Sequence, residues 1–141
     1  MTNPAQTILI WLHVVANIFW IGSIAAVALI AMAEKHEAKT RGEIALTVYR
    51  KVANPAFIAS FLLGAGRLFM DTGYYFKQTH FMHGKLLFAF IVIGLHHVIG
   101  ARARKLATGD SEKAGNLGVL LAILAIAAAA ATFFVVAKIP R

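Results

Sequence analysis

Four long apolar runs constrain this chain more than any other feature. Residues 8–32 and 117–137 carry no Asp, Glu, Lys or Arg. Residues 55–70 are apolar apart from Arg67, and 81–103 hold Lys85 near their start and Arg102 near their end. About 20 helical residues cross about 30 Å of hydrocarbon. In lipid every backbone donor and acceptor must be satisfied internally, which leaves helices or closed barrels. Runs that are continuously apolar, rather than alternating, select helices. The pattern predicts an all-α membrane protein: a four-transmembrane-helix bundle forming one integral membrane domain over 1–141. Its spans are expected at about 8–32, 55–76, 81–103 and 117–137, the short second run continuing through the aromatics at 74–76.

Composition agrees. Of 141 residues, 60% are hydrophobic and 14% charged, against about 45–50% and about 25% in soluble domains. Disorder, which needs low hydrophobicity, is excluded. The absence of cysteine excludes a zinc finger, a disulfide scaffold, thiolate ligation and an ordinary iron–sulfur cluster. The net charge of +8 would suggest a polyanionic partner in a soluble protein. Here the basic residues lie between the apolar runs, so the expected partner is the lipid bilayer and no nucleic acid. The first run resembles a signal peptide, with Ala31-Met32-Ala33 like a cleavage site. No basic residue precedes Ile8 and the run exceeds the usual length, so a retained span is expected.

Charge sets the orientation. Lys35, Lys39, Arg41, Arg50 and Lys51 follow the first run, and Arg102, Arg104, Lys105 and Lys113 follow the third. The opposite side holds Lys77, Lys138 and Arg141. Nine against three predicts cytoplasmic basic loops and outward termini, as in a bacterial-type inner membrane. Ile44, Val48 and Val52 recur at i, i+4, i+8, which predicts a short amphipathic helix on the cytoplasmic surface before span two. Asn54-Pro55 reads as an N-cap with Pro at the first helical position. Residues 108–111 read as a turn. The alanine-rich last span suits close helix approach.

Ionisable residues inside spans are costly and point to function. His13, Asn17 and Trp20 share one face of the first span. His13 is a ready metal or haem ligand, or else a histidine hydrogen-bonded within the bundle. Arg67 and Lys85 lie near the outer ends of their spans and either snorkel to the interface or bind an anion. With alternating span directions, His13, Arg67 and Lys85 fall at similar depth. On the third span, Lys85 and His96 form one stripe and His83 and His97 another, on roughly opposite sides. One stripe is expected to face the bundle and the other a neighbouring subunit, giving a homo-oligomer. His36 and His80 are expected to be solvated in loops. All six acidic residues lie outside the apolar cores, so catalysis by a buried carboxylate is not expected.

Four stretches carry a resemblance: LHVVANIFWIG, with His13, Trp20 and Gly22; YRKVANPAFIASFLLG; HGKLLFAFIVIGLHHVIGARARKLATGD, with His83, Lys85, His96, His97 and Arg102; and FFVVAKIP. In this order they resemble the HemJ-type protoporphyrinogen IX oxidases, within a wider group that includes CopD-type copper proteins. The chain is similar to a divergent member. Residues 25–32 lack the Pro and Arg that usually close the first span, and the last span lacks the Asn-Glu before its proline.

The resemblance implies oxidation of protoporphyrinogen IX to protoporphyrin IX, a six-electron step late in haem synthesis. It implies haem b as cofactor, with His13 and Lys85 as the essential positions and His13 as the iron ligand. Arg67 and Lys85 are expected on the propionates. His83, His96 and His97 are candidates for a second ligand, and Asn17 and Trp20 line the cofactor. Electrons would pass to a membrane acceptor such as quinone. Two alternatives stand beside this: a non-enzymatic haem-binding or electron-transfer subunit, and a copper-handling membrane protein.

Overall fold

The computed structural model describes residues 4–70, 72–78 and 81–137. Asp71, His80, Lys138 and Arg141 therefore lie outside the described residues. Five α-helices follow one another: α1 (Pro4–Ala31), α2 (Ala38–Val48), α3 (Asn54–Met70), α4 (Phe81–Thr108) and α5 (Leu117–Val136). Two π-helical turns, Tyr49–Ala53 and Tyr74–Gln78, precede and follow α3. Four helical stretches are long and apolar enough to cross a membrane: Pro4–Ala31, Ala38–Met70, Phe81–Thr108 and Leu117–Val136. The protein is a multi-pass, all-helical membrane protein. α1 starts four residues before the apolar run, with Pro4 in the first turn, where its missing N–H costs nothing. α4 extends to Thr108 and stops where Gly109 takes φ +80°, a left-handed conformation that glycine adopts freely.

The helix before span two is present, but it is joined differently from the sequence expectation. Asn54 is not an N-cap: it has helical angles, φ −64° and ψ −51°, and the helix runs through it. The π turn at Tyr49–Ala53 explains this. Pro55 has no N–H, and its ring crowds the carbonyl four residues back, at Lys51. An added residue in the turn relieves that clash without breaking the helix. The inward face of α2 is also not the one the periodicity suggested. Ile44 and Val52 are exposed, whereas Arg41, Gly42, Ala45, Tyr49 and Ala53 are buried. Close approach selects the small face: Gly42 abuts the backbone of Leu106 and Ala107, and Gly100 abuts the Tyr49 ring. Small residues at such crossings let helix backbones meet in lipid.

The core occupies the half of the bundle nearer the two basic loops. Ile24, Val27, Ala28 and Ala31 of α1 meet Val92, Leu95, Ile99, Ala103 and Leu106 of α4, with Leu117 and Leu124 of α5. In the other half the helices separate into two pairs. α3 packs along α1 and α5 packs along α4, but α3 and α4 scarcely touch. They meet at one end through Phe57, whose ring lies 4.8 Å from His96 and 5.7 Å from His97. At the other end Tyr75 lies 6.3 Å from Phe81 and Phe76 lies 5.9 Å from His83. Between these contacts the backbones of α3 and α4 stand apart, an opening between the two backbones beside α1. Phe57 and Tyr75 are 18 residues apart and Phe81 and His97 are 16 apart, so the two ends are about 25 Å from each other.

Candidate functional site

Two polar triads link the helices, and their chemistry differs. The first is Trp20, His96 and Asn54. The Trp20 indole N–H donates to His96 Nδ1 at 3.2 Å. Indole nitrogen is a donor only, so His96 Nδ1 is unprotonated and Nε2 carries the hydrogen. That Nε2–H donates to Asn54 Oδ1 at 2.9 Å. His96 is wholly buried, with the Tyr49 ring 4.9 Å from its own. Both ring nitrogens are satisfied in the packed core. His96 and Trp20 hold α1, α3 and α4 together, and neither faces the opening.

The second triad is His13, Asn17 and Ser60. His13 Nδ1 lies 2.9 Å from the Ser60 carbonyl oxygen, which only accepts, so Nδ1 carries the hydrogen. Nε2 then accepts from the Asn17 amide at 3.0 Å. Ser60 Oγ donates to Asn17 Oδ1 at 2.7 Å and closes the ring. Gly64 brings α3 against the imidazole: a Cβ there would stand 2.8 Å from His13 Cε1. Interhelical hydrogen bonds of this kind contribute about 0.6 kcal/mol on average in membranes, up to about 1–2 kcal/mol. Unlike His96, His13 is half-buried. Its Nδ1–H is anchored on a backbone carbonyl, the usual arrangement behind a metal-ligating imidazole. Its Nε2 lone pair faces a neutral amide one turn along the same helix. That lone pair is the ring's one coordinating position, and the Asn17 amide occupies it.

Two cations flank this imidazole. Arg67 and Lys85 both lie close enough for their charges to act on His13, and on each other. Arg67 Nη2 donates to the Tyr75 hydroxyl at 2.7 Å, with the guanidinium 5.8 Å from the ring centroid. Lys85 is half-buried. Every carboxylate among the described residues lies at the basic-loop end of the molecule. Two positive charges therefore face the apolar opening with no described carboxylate to neutralise them. Burying unpaired charge is costly, and a dicarboxylate with an apolar body would offset that cost.

The sequence-derived residues thus divide into three groups. His13, Asn17, Arg67 and Lys85 come together on the opening. Trp20 and His96 form the core triad. His83 and His97 are exposed on α4, each with a ring contact to the α3 side, Phe76 at 5.9 Å and Phe57 at 5.7 Å, and His36 is exposed in its loop. Sequence reasoning missed Ser60, Asn54, Gly64 and Tyr75. Asn54 and Ser60 did carry a signal, as polar residues near an apolar run whose partners must come from other helices.

Comparison with known proteins finds no matching family model, no matching curated protein and no matching solved structure.

Proposed function

We propose that this chain is a haem b-binding membrane oxidoreductase that oxidises protoporphyrinogen IX and passes the electrons to a membrane acceptor of the quinone class. The observation that carries the reading is the His13 imidazole, anchored on the Ser60 carbonyl, beside two cations that no carboxylate among the described residues pairs. A tetrapyrrole is a flat apolar ring with carboxylates along one edge. The opening suits the ring, and charge-assisted hydrogen bonds from Arg67 and Lys85 suit the carboxylates. His13 would hold haem iron through Nε2, with Ser60 fixing the ring orientation. Bound haem supplies one-electron chemistry that no side chain here can perform. The oxidation removes six electrons and six protons, which three equivalents of a two-electron quinone acceptor take up. The resemblance to the HemJ-type oxidases supports the substrate. The positive-inside rule supports cytoplasmic basic loops in a bacterial-type inner membrane, with the site in the outer half. Among the described residues no three His, Cys, Asp or Glu side chains gather as a metal cluster; haem iron asks the protein for only one or two ligands.

Absorption spectra of the purified protein, oxidised and then dithionite-reduced, test this. The expected result is a Soret band with resolved reduced bands, and His13→Ala is expected to lose most of the haem. A featureless visible spectrum after haem-replete expression would overturn the haem assignment. Protoporphyrinogen added anaerobically with a quinone separates an oxidase from a haem-binding subunit without turnover, and metal analysis for copper addresses the CopD-type alternative.

The exposed His83–His97 stripe is assigned to contact with a second copy, because polar side chains at a lipid face are costly. Cross-linking in native membranes is expected to yield oligomers, and His97→Leu to weaken them. Monomer alone would count against this contact.

A further inference from the structure

One accepting atom dictates the arrangement around His13. The Ser60 carbonyl oxygen, 2.9 Å from His13 Nδ1, only accepts, so Nδ1 carries the ring hydrogen and Nε2 keeps its lone pair. A lone pair needs a donor, so Asn17 turns its amide nitrogen to Nε2 at 3.0 Å. The Asn17 Oδ1 then points to Ser60 Oγ, which donates to it at 2.7 Å. Ser60 therefore acts twice. Its carbonyl orients the imidazole, and its hydroxyl holds the amide that covers the imidazole. Ser60 is 2% exposed, so water does not compete for that hydroxyl, whereas His13 and Asn17 are half-buried. At Gly64, α3 presents no side chain to the same edge of the ring: a Cβ there would stand 2.8 Å from Cε1 and 3.5 Å from Nε2. Asn17 is held by two neutral hydrogen bonds, each a modest net contribution within a membrane.

We propose that Asn17 is a latch over His13 Nε2, set by Ser60, and that a ligand of this nitrogen binds by displacing the Asn17 amide. Asn17 and Ser60 are then positioning residues that determine specificity. A small ligand whose sole contact is Nε2 must displace the amide unaided. A large ligand that Arg67 and Lys85 also hold draws on those contacts to do so. The latch thus favours a bulky anion over a small one-point ligand. That the displacing ligand is haem rests on the function proposed above; the latch itself rests on the hydrogen bonds alone.

The test treats the haem-free full chain in maltoside micelles with diethyl pyrocarbonate, which acylates an imidazole at a nitrogen with an available lone pair. Mass spectrometry follows each histidine in its own peptide. Wild-type His13 is expected to react about tenfold more slowly than the exposed His36. Asn17→Ala is expected to raise the His13 rate by about tenfold and Ser60→Ala by about threefold, with the rate at buried His96 unchanged. A wild-type His13 as reactive as His36 overturns the latch, as does an unaltered His13 rate in both variants. An equal rise at His96 means that the bundle has loosened, and overturns it too. Should Asn17→Ala fail to fold, Ser60→Ala decides by the same criteria. Haem titration separates the latch from the haem assignment. Asn17→Ala is expected to bind haem about tenfold more tightly than the wild type, the reverse of losing a merely structural residue; equal or weaker binding overturns the latch. Absence of haem binding in the wild type and both variants overturns the haem assignment instead, and the acylation rates then decide the latch.

Discussion

Replacing His96 by alanine is expected to cost about 3–5 kcal/mol of stability, among the larger effects of a single substitution. The Trp20 N–H and the Asn54 carbonyl oxygen would both lose their partner. An unsatisfied buried polar group costs about 1–3 kcal/mol. The vacated space adds a cavity term, because the Tyr49 and Phe57 rings pack on the imidazole. His97→Ala provides the contrast one residue away: that exposed side chain makes edge contacts with Phe57 and His96, and its loss is expected to cost under about 1 kcal/mol in the monomer. Detergent-induced unfolding in mixed micelles measures both. In a Trp20→Phe background the His96→Ala penalty is expected to shrink, since the donor that needs His96 is gone, and the difference is the coupling energy of the pair. An undiminished penalty would mean that packing alone explains His96.

His96 and His13 illustrate what a sequence can and cannot convey. Both are histidines within apolar runs, and periodicity places each on an inward face. What separates them is the partner set on other helices: Trp20 and Asn54 for one, Ser60 and Gly64 for the other. Residue order says nothing about which turn of α3 meets which turn of α1. The common depth of His13, Arg67 and Lys85 was legible because it depends only on span direction and helix rise. The opening between α3 and α4 was not, because it arises from which helices pair. The junction at Asn54 misled for a local reason. Asn-Pro marks a helix start wherever the helix is not already under way, and the π turn upstream kept it under way. Arg41 was counted as a loop charge, and nothing in its neighbourhood except Gly42 signals that α2 lies close enough to α4 to bury it.

Neutralising Lys85 and Arg67 is expected to separate binding from stability. In Lys85→Met with Arg67→Gln, affinity for protoporphyrin IX, followed by its Soret shift, is expected to fall by about a hundredfold or more. That corresponds to two charge-assisted contacts at about 1.5–3 kcal/mol each. The dimethyl ester of the same porphyrin supplies the control. The wild type is expected to bind the ester as weakly as the variant binds the acid, and the variant to bind both alike. Of the two single changes, Lys85→Met is expected to cost more. Arg67 already donates to Tyr75, whereas Lys85 has no hydrogen-bond partner among the described residues. The ligand-free protein should respond in the opposite sense. Each cation acts on the other across the opening, so removing one relieves like-charge repulsion and is expected to stabilise the empty fold by about 0.5–2 kcal/mol. Two residues whose removal strengthens the fold while weakening the ligand are held in place by the ligand's chemistry rather than by packing. If the wild type binds acid and ester equally, the cations do not receive carboxylates, and the dicarboxylate reading of this opening fails.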